Sequence, residues 1–498
     1  MVSHIEKSRR EVARKLRPDT RSTLGQFMTP QTIADFMASL FGLTIHSAEA
    51  QILDAGAGVG SLSIALLNRI HRESPDIQKI KLHAYEIDPL LAGLLKQHLS
   101  VCTERFAATG QALEATIIEE DFIESAVIQL YAANFPRFDY AILNPPYRKI
   151  NSASRHRKLL RTAGIETVNL YSAFLSLSIL AARPQGEIVA IIPRSFCNGP
   201  YYKSFREMML RHMSIRRIHL FESRSKAFGE DDVLQENIIL HLKKEPQQPL
   251  VSLSTSTDGT FADYHMVTVP FEHIVKSEDR EKFIHIPTAG KEDSAGLMNL
   301  FTHTLASLNI GVSTGPVVDF RVSQYLRKHP EAGAVPLLYP GHFGNTHISW
   351  PKEGFKKYNA IASAPETEKQ LYPSGYYTLV KRFSAKEEKK RIVACVFNPG
   401  HIPAQWIGIE NHLNVFHCKK EGLPEKIAYG LSVYLNSSAV DNYFRKFNGH
   451  TQVNATDLRG LGYPSTDQLE ILGEWAKSLP HITQEAIDHK ILSLCSEH

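Results

Sequence analysis

The tetrapeptide Asn144-Pro145-Pro146-Tyr147 holds the residues of this 498-residue chain that are best suited to chemistry. Two consecutive prolines stiffen the turn and remove two N–H donors, so nearby carbonyl oxygens stay free to accept hydrogen bonds. The Asn144 side chain adds an amide oxygen, and Tyr147 offers a flat aromatic face. Such a turn can hold both hydrogens of a planar amino group, on the Asn144 amide oxygen and the Pro145 carbonyl oxygen, and aim the nitrogen lone pair at an electrophile. The alternative is a strand-ending turn with a surface aromatic residue.

A glycine-rich turn lies upstream, in the segment ILDAGAGVG that starts at Ile52 and includes Asp54. Gly56, Gly58 and Gly60 allow the backbone to turn sharply and to approach a ligand closely. Tight strand-to-helix turns also use glycine for structural reasons alone, so the turn by itself leaves nucleotide binding open. The chain has no GxxxxGK[ST] phosphate loop, and this turn lacks GxGxxG spacing, which argues against an ATP-driven motor and a dehydrogenase.

Acidic residues follow the next two apolar runs. Glu86 is placed to accept hydrogen bonds from two ribose hydroxyls, whereas Asp88 better suits a helix N-cap. Asp121 can accept from an adenine amino group, and Phe122 can stack on the base. The alternative for Phe122 is ordinary core packing.

The elements that must position these residues alternate between strands and helices in the first half of the chain. The expected strands are Gln51–Ala55, Lys81–Ile87, Ala115–Glu119, Asp139–Leu143, Glu187–Ile192 and Ile238–Leu242. Helices are expected between them, for example over Gly60–Arg72 and Pro89–Ser100. This alternation predicts an α/β fold with an open, mostly parallel sheet and helices on both faces. Ligands of such sheets bind at the carboxyl ends of the strands, where the polar residues above fall.

Changes of composition along the sequence predict three segments. Residues 1–245 form the α/β domain, which ends near the charged, proline-containing stretch KKEPQQP at Lys243. Residues 246–308 are a linker or belong to either half. Residues 309–498 contain short strands interrupted by Gly, Pro, His and aromatic residues, which indicates an irregular α+β domain.

These residues carry a resemblance to the S-adenosylmethionine-dependent N6-adenine DNA methyltransferases of the NPPY type. The matching segments, in chain order, are Gly25–Pro30, Ile52–Gly60, Glu86, Asp121-Phe122, Asn144–Tyr147, Asn169–Phe174, Glu187–Phe196 and Ala227–Leu240. Their order, with the recognition region last, resembles the γ arrangement. The second half resembles the PstI/BsuBI-like modification enzymes of type II restriction–modification systems.

The resemblance implies a Rossmann-like catalytic domain, S-adenosylmethionine as cofactor and a C-terminal target-recognition domain. Gln26, Thr29 and Pro30 would close over the methionine end of the cofactor. The target adenine would flip out of the duplex, with its amine held by the Asn144-Pro145 turn and its ring between Tyr147 and Phe228. Core packing is the competing explanation for Phe228. A separate endonuclease would act on the same site.

Basic clusters provide candidate DNA contacts. Arg155, Arg157 and Lys158 follow the Asn-Pro-Pro-Tyr turn, and their position there favours phosphate contact over a solvated helix face. Lys381 and Arg382 begin a second cluster, for which the two explanations are equally good. The late segment around Asn448 and His450 mixes amide, basic and aromatic groups that can read base edges, but such groups also serve ordinary loops.

Composition sets the remaining expectations. The formal net charge is only +4, so any nucleic-acid surface must be local. Five scattered cysteines argue against disulfides and zinc and indicate a reducing cytoplasm. The apolar stretch Phe174–Ala182 is too short to span a membrane. Two alternatives stay open: a methyltransferase of this fold acting on RNA or protein glutamine, and a catalytically silent DNA-binding module.

Overall fold

The chain divides into two compact units, residues 1–287 and 288–498. A computed structural model describes residues 28–43, 48–221, 236–248, 250–277, 279–286, 298, 300–344, 347–384, 388–447, 452–479 and 481–496. Four predicted site residues lie outside these ranges: Gln26, Phe228, Asn448 and His450.

The first unit is built on a nine-stranded sheet with the strand order β3-β2-β1-β4-β5-β7-β6-β8-β9. The strands are β1 Glu49–Ala55, β2 Lys79–Tyr85, β3 Ala112–Ile118, β4 Phe138–Leu143, β5 Ala182–Pro193, β6 Ser214–Phe221, β7 Asn237–Lys243, β8 Val251–Ser256 and β9 His265–Val269. Strands β1 to β5 are mutually parallel, and β7 runs antiparallel to both of its neighbours. The carboxyl ends of β1, β2, β3 and β4 therefore meet at one edge.

The central strands form because both of their faces are buried. Ile52 and Leu53, neighbours on β1, are fully buried in two different hydrophobic clusters. Alternating side chains of a strand point to opposite faces, so these clusters are the two cores of a covered sheet. The covering helices are α1 Gln31–Ser39, α2 Ser61–Glu73, α3 Pro89–Ala108, α4 Phe122–Tyr131, α5 Arg155–Thr162, α6 Leu170–Ala181 and α7 Lys203–His212. The expected Rossmann-like α/β fold is confirmed.

Two parts of this sheet were not foreseen from the sequence. Strand β6 carries adjacent arginines, Arg216 and Arg217, whose charges hide its apolar alternation. Strands β8 and β9 come from the segment 246–308, which the sequence left undetermined; β9 is largely exposed and so lacks an apolar pattern. Within the described ranges, every helix is too short or too polar to cross a lipid bilayer.

The second unit combines two small sheets with a group of helices. One sheet has the order β10-β18-β15-β16 and the other β11-β13-β12-β17-β14. The strands are β10 Gly311–Thr314, β11 Leu326–Arg327, β12 Ala334–Leu338, β13 Ala360–Ala362, β14 Leu371–Pro373, β15 Tyr377–Lys381, β16 Ala394–Phe397, β17 Trp406–Ile409 and β18 Leu413–His417. The helices are α8 Pro365–Glu368, α9 Glu425–Leu435, α10 Ser438–Phe447, α11 Ala455–Arg459, α12 Thr466–Lys477 and α13 Gln484–Ser496. The unit is α+β, as expected.

Helices α9 and α12 pack closely because a glycine of each faces backbone of the other. A Cβ added to Gly430 would lie 1.9 Å from the Leu469 carbonyl oxygen, and one added to Gly473 would lie 1.9 Å from the Lys426 carbonyl oxygen. The two helices can approach this closely only where the side chain is a hydrogen atom.

Candidate active site

A cavity of about 290 Å³ lies in the first unit, between the glycine turn after β1 and the Asn-Pro-Pro-Tyr turn after β4. Strand β1 pairs directly with β4, so their carboxyl ends are adjacent. The predicted site residues among its lining are Thr29, Gly56, Gly58, Glu86, Asp121, Phe122, Asn144 and Pro146. The cavity is also lined by residues that carry no predicted role, among them Tyr85, Glu120, Arg148, His156, Leu170 and Phe174.

The glycine turn requires glycine at all three predicted positions. Gly56, Gly58 and Gly60 have φ angles of 86°, 57° and 90°, in the left-handed region that other residues rarely adopt. A Cβ on Gly60 would also lie 2.7 Å from the Cδ1 atom of Leu95. A Cβ on Gly58 would meet no atom within 4 Å. The turn therefore leaves open space at Gly58, on the wall of the cavity.

Glu86 holds the turn and faces the cavity. Its Oε2 accepts a hydrogen bond of 2.8 Å from the Gly58 amide, and its Oε1 accepts one of 2.8 Å from the Asp88 amide. Burial raises the pKa of the Glu86 carboxyl, although these amide hydrogen bonds act in the opposite direction. Each oxygen keeps a further lone pair for a ligand hydroxyl. Asp88 caps helix α3 as expected, accepting from the Leu90 and Leu91 amides.

Asp121 and Phe122 lie at the start of helix α4. The Asp121 side chain caps the helix by accepting from the Glu124 amide at 3.0 Å, and its Oδ2 lies 3.0 Å from Nε2 of His156. Burial alone would raise the pKa of Asp121, but the hydrogen bonds from His156 and the Glu124 amide outweigh burial and hold that pKa below its usual value. Phe122 is only 3% exposed and packs on Phe174, so it is both a core residue and part of the cavity wall.

The Asn144 amide is fixed on both sides. Its Nδ2 donates to Thr29 Oγ1 at 2.9 Å, and its Oδ1 accepts from the Tyr147 hydroxyl at 2.9 Å. The Tyr147 hydroxyl also lies 3.1 Å from the Ile191 carbonyl oxygen on β5. One lone pair of Asn144 Oδ1 therefore accepts the Tyr147 hydroxyl. Tyr147 is half-buried and packs against the core beside the residues that line the cavity; the stacking role expected from the sequence stays a prediction.

Removal of the Tyr147 hydroxyl should loosen the Asn144 amide. We expect Tyr147→Phe to lower the single-turnover methylation rate by about tenfold, because one neutral hydrogen bond is worth about 1 kcal/mol. Cofactor affinity should stay within twofold of wild type. Rapid-quench kinetics and calorimetry measure the two quantities. A Phe variant as fast as wild type would show that the hydroxyl does not position Asn144.

Asp54 lies beneath the glycine turn, outside the residues that line the cavity. It is fully buried, its Oδ2 accepts from the Ser63 hydroxyl, and its Oδ1 is buried with no hydrogen-bond partner among the described residues. Burial raises the pKa of Asp54 from 3.8 to about 7, with the Ser63 hydrogen bonds opposing the shift. The resemblance implies a cofactor-binding role for Asp54, and its position outside the cavity lining does not support a direct contact with a ligand there.

The raised pKa of Asp54 predicts a pH dependence of stability. The folded protein binds this proton more tightly than the unfolded chain, so the contribution of Asp54 to stability is lost as the pH rises from about 4 through about 7. Asp54→Asn does not titrate. As the pH rises over this range, the unfolding free energy of the variant should therefore increase relative to that of wild type by up to about 4 kcal/mol. Urea unfolding at pH 4 and pH 8 measures it, and parallel curves for the two proteins would contradict the assignment.

The first basic cluster separates into exposed and buried members. Lys158 is exposed, and Arg155 is exposed with an ion pair to Glu124 at 3.0 Å. Arg157 is only 7% exposed and forms an ion pair with Glu166, whose side chain is 45% exposed. A cation that is buried and already neutralised cannot reach a phosphate in this conformation, so we remove Arg157 from the candidate DNA contacts.

The second basic cluster lies in the second unit and also divides. Lys381 and Arg382 are half-buried, and Arg382 Nη1 donates to the Asn411 carbonyl oxygen at 3.1 Å. Lys390 donates to the Asn436 carbonyl oxygen, and Arg391 is fully buried. The later cations of this cluster therefore stabilise the fold.

Sequence reasoning missed several groups that the fold brings to the cavity. Thr29 was expected to close over a cofactor, and the structure shows in addition that it orients Asn144, 115 residues away in sequence. His156 was read as one member of a basic run, and its contact with Asp121 was not foreseen. No local signal could have paired these residues, since each pair depends on the tertiary fold. Cys197 is fully buried, and burial raises its pKa to about 12, so it is no thiolate nucleophile.

Among the described residues, no group of three or more His, Cys, Asp or Glu side chains is placed to hold a metal ion. The cavity instead presents carboxylates, an amide and aromatic carbon.

Together, the strand order, the glycine turn after β1, the carboxylates after β2 and β3 and the Asn-Pro-Pro-Tyr turn after β4 define a methyltransferase of the Rossmann-like class. Residues 69–228 match the family described as Eco57I restriction-modification methylase. The chain is 50% identical over 501 residues to the type II methyltransferase M.BsuBI of Bacillus subtilis, covering 99% of this chain and 98% of the relative. It is 44% identical over 465 residues to the type II methyltransferase M.PstI of Providencia stuartii, covering 93% and 91%. The chain belongs to the type II methyltransferases of restriction–modification systems, which confirms the family resemblance.

Solved structures agree on the fold. The DrdV–DNA complex superposes with a TM-score of 0.56 at 11% identity, covering 96% of this chain and 59% of that chain. The type IIL restriction-modification enzyme MmeI in complex with DNA superposes with a TM-score of 0.54 at 10% identity, covering 89% and 68%. At these identities the likeness concerns the fold alone.

Proposed function

We propose that this protein transfers a methyl group from S-adenosylmethionine to N6 of an adenine flipped out of duplex DNA. The observation that carries the proposal is the Asn144 amide, fixed by Thr29 and Tyr147 at a cavity that the glycine turn also lines. An amino group and a methyl donor bound there would be neighbours. Membership of a restriction–modification family supports DNA as the substrate.

The residues present fit the cofactor. Glu86 would accept from the ribose hydroxyls, and Asp121 would accept from the adenine amine of the cofactor, with Phe122 in the wall beside it. The open space at Gly58 admits a ligand against the backbone. When bound, S-adenosylmethionine supplies an electrophilic methyl group on a sulfonium. Thr29 contacts Asn144 at the same wall, which supports its assignment, with Pro30 and Gln26, to the methionine end.

The chain's own residues would do three things in the reaction. Asn144 Oδ1 and the Pro145 carbonyl oxygen would accept the two hydrogens of the target amine and hold its lone pair towards the methyl donor. Tyr147 and Phe228 would hold the two faces of the flipped base. The apolar wall would exclude water. Positioning and stabilisation of the charge that develops on the amine account for catalysis without a covalent intermediate.

The proposed DNA methyltransferase activity also implies DNA contacts, a partner enzyme and a cellular compartment. Exposed Arg155 and Lys158 would contact DNA phosphates. A separate endonuclease would cleave the same sequence when it is unmethylated. The protein would act in the cytoplasm, and its cysteines, all of them free, fit that compartment.

A side-by-side assay tests the substrate. We expect tritium from labelled S-adenosylmethionine to enter duplex DNA, and neither RNA nor bulk protein. Label in RNA or in protein glutamine would favour the alternative substrates of this fold. Calorimetric binding of DNA without binding of the cofactor would indicate a silent DNA-binding module instead.

A further inference from the structure

The second unit carries an exposed group of rings around the tight turn between β17 and β18. The turn residue Asn411 donates to the Val317 carbonyl oxygen at 2.9 Å, which brings the segment 317–320 to one side of the turn. On the other side, Arg382 donates its amide to the His412 carbonyl oxygen at 2.8 Å. The Phe383 and His412 rings are thus neighbours, and Phe320 lies three residues beyond the Val317 carbonyl that the turn holds; we call Phe320, His412 and Phe383 the aromatic ridge.

The rings of the aromatic ridge face solvent. Phe320 is 74% exposed and Phe383 is 42% exposed, whereas Phe397, Phe416 and Phe444 of the same unit are fully buried. The Phe383 and His412 rings lie 4.8 Å apart between centroids. A single exposed ring is common on protein surfaces, but two beside one turn form a patch suited to a ligand with flat faces.

Cations border the aromatic ridge, and its carboxylates are already paired. The Arg321 guanidinium lies 5.6 Å from the Phe320 ring centroid, and that of Arg382 lies 5.7 Å from the Phe383 ring centroid. Asp319 is held by Lys357 at 2.8 Å, and Glu410 is fully buried against His412. The charge offered to a ligand is therefore positive. Arg321 is the exposed cation, since Arg382 is half-buried and braces the turn through Asn411.

Flat faces beside arginines that form no ion pair within the part of the chain that the structure describes match the two parts of a nucleic acid, its bases and its phosphates. Aromatic side chains contact thymine methyl groups in the major groove or insert between base steps in the minor groove. Arginine binds the flanking phosphates. We propose that the aromatic ridge contacts duplex DNA, with Phe320 and Phe383 against bases and Arg321 on a phosphate. This inference rests on the proposed function, because it names residues of the second unit that contact its substrate.

The test compares single substitutions in the full-length protein. Phe320→Ala and Phe383→Ala should each weaken binding to a duplex that carries the sequence methylated by this protein by about tenfold. The slope of log K against log salt concentration should stay unchanged in both variants. Arg321→Gln should lower the slope of log K against log salt concentration by about 1 and weaken binding to all sequences alike. Ile471→Ala is the control, because Ile471 is an apolar residue on helix α12 with a similar exposure of 42%. Fluorescence anisotropy across a salt series measures all four variants.

The outcomes separate the two proposals. Methylation and DNA binding by wild type, with the Phe320, Phe383 and Arg321 variants all unchanged, would overturn the role of the aromatic ridge and leave the proposed function standing. A wild-type protein that neither binds nor methylates duplex DNA would overturn both. Cofactor affinity, measured by calorimetry, should be the same in every variant, which shows that the first unit is intact.

Discussion

Asn144→Ala should lower the single-turnover rate of methyl transfer by about 10³-fold, at the upper end of what loss of one preorganised polar group costs an enzyme. In the proposed reaction Asn144 Oδ1 would accept a hydrogen of the target amine, and Thr29 and Tyr147 hold the Asn144 amide in one orientation. Without it, the amine loses an acceptor and its direction. Rapid mixing of enzyme, duplex and labelled cofactor gives the rate without contributions from product release.

The fold of the Asn144→Ala variant should survive. The Tyr147 hydroxyl keeps its hydrogen bond to the Ile191 carbonyl oxygen, and the turn keeps both prolines. Asn134→Ala, at an exposed loop position of the same unit, is the matched control and should retain wild-type rates. A variant at Asn144 that unfolds at the wild-type temperature and methylates at the wild-type rate would refute the role of Asn144.

Glu86→Ala should weaken binding of S-adenosylmethionine by about 10²-fold, which corresponds to about 2.7 kcal/mol. Two losses contribute. The ribose hydroxyls lose a charged acceptor, and such hydrogen bonds are worth about 1.5–3 kcal/mol each at most. The glycine turn also loses the bond that ties the Gly58 amide to Glu86. Isothermal titration of the protein with the cofactor in the absence of DNA measures the change directly.

Asp88→Ala is the matched control for Glu86, since it removes a carboxylate two residues away. Asp88 caps helix α3 and does not line the cavity. Loss of an N-cap should cost about 1 kcal/mol of stability and leave cofactor affinity unchanged. If both variants weaken cofactor binding equally, the effect comes from general loosening of the β2–α3 connection, and Glu86 has no special contact with the ribose.

The sequence predicted the central sheet well because its strands are buried on both faces. In strand β1 the apolar pair Ile52-Leu53 leads into the glycine turn, and the residues that follow such strands are the ones that reach the ligand edge. The strands that escaped prediction lack this property. Strand β9 is exposed at all but its last residue, and the arginines of β6 interrupt the apolar pattern of that strand.

The burial of Arg157 shows that a run of basic residues does not by itself predict which of them are exposed and can contact DNA. Arg155, Arg157 and Lys158 look alike in sequence, but on helix α5 Arg157 lies three residues before Leu160, and both are buried on the inner face. Helical spacing could have separated Arg157 from its neighbours. The partner that stabilises it, Glu166, lies beyond the end of the helix and could not be paired with it from spacing alone.

The Asn144 environment was only half predictable. The sequence of the turn predicts two hydrogen-bond acceptors, because the prolines and the asparagine are contiguous. The use of one Oδ1 lone pair by Tyr147 depends on how the turn folds back against β5, where the hydroxyl also meets Ile191. The Thr29 contact depends on the residues before helix α1 reaching the carboxyl end of β4.

The most direct test of the account is to identify the methylated nucleoside. DNA from methylation-deficient cells expressing this chain should contain N6-methyladenine, detected by mass spectrometry after digestion to nucleosides, and sequencing should place it at one position of a recurring site. DNA from cells expressing the Asn144→Ala variant should lack it. Methyl groups on cytosine, or an unmodified genome beside an expressed and folded protein, would contradict the claim that this turn presents the amine of a flipped adenine.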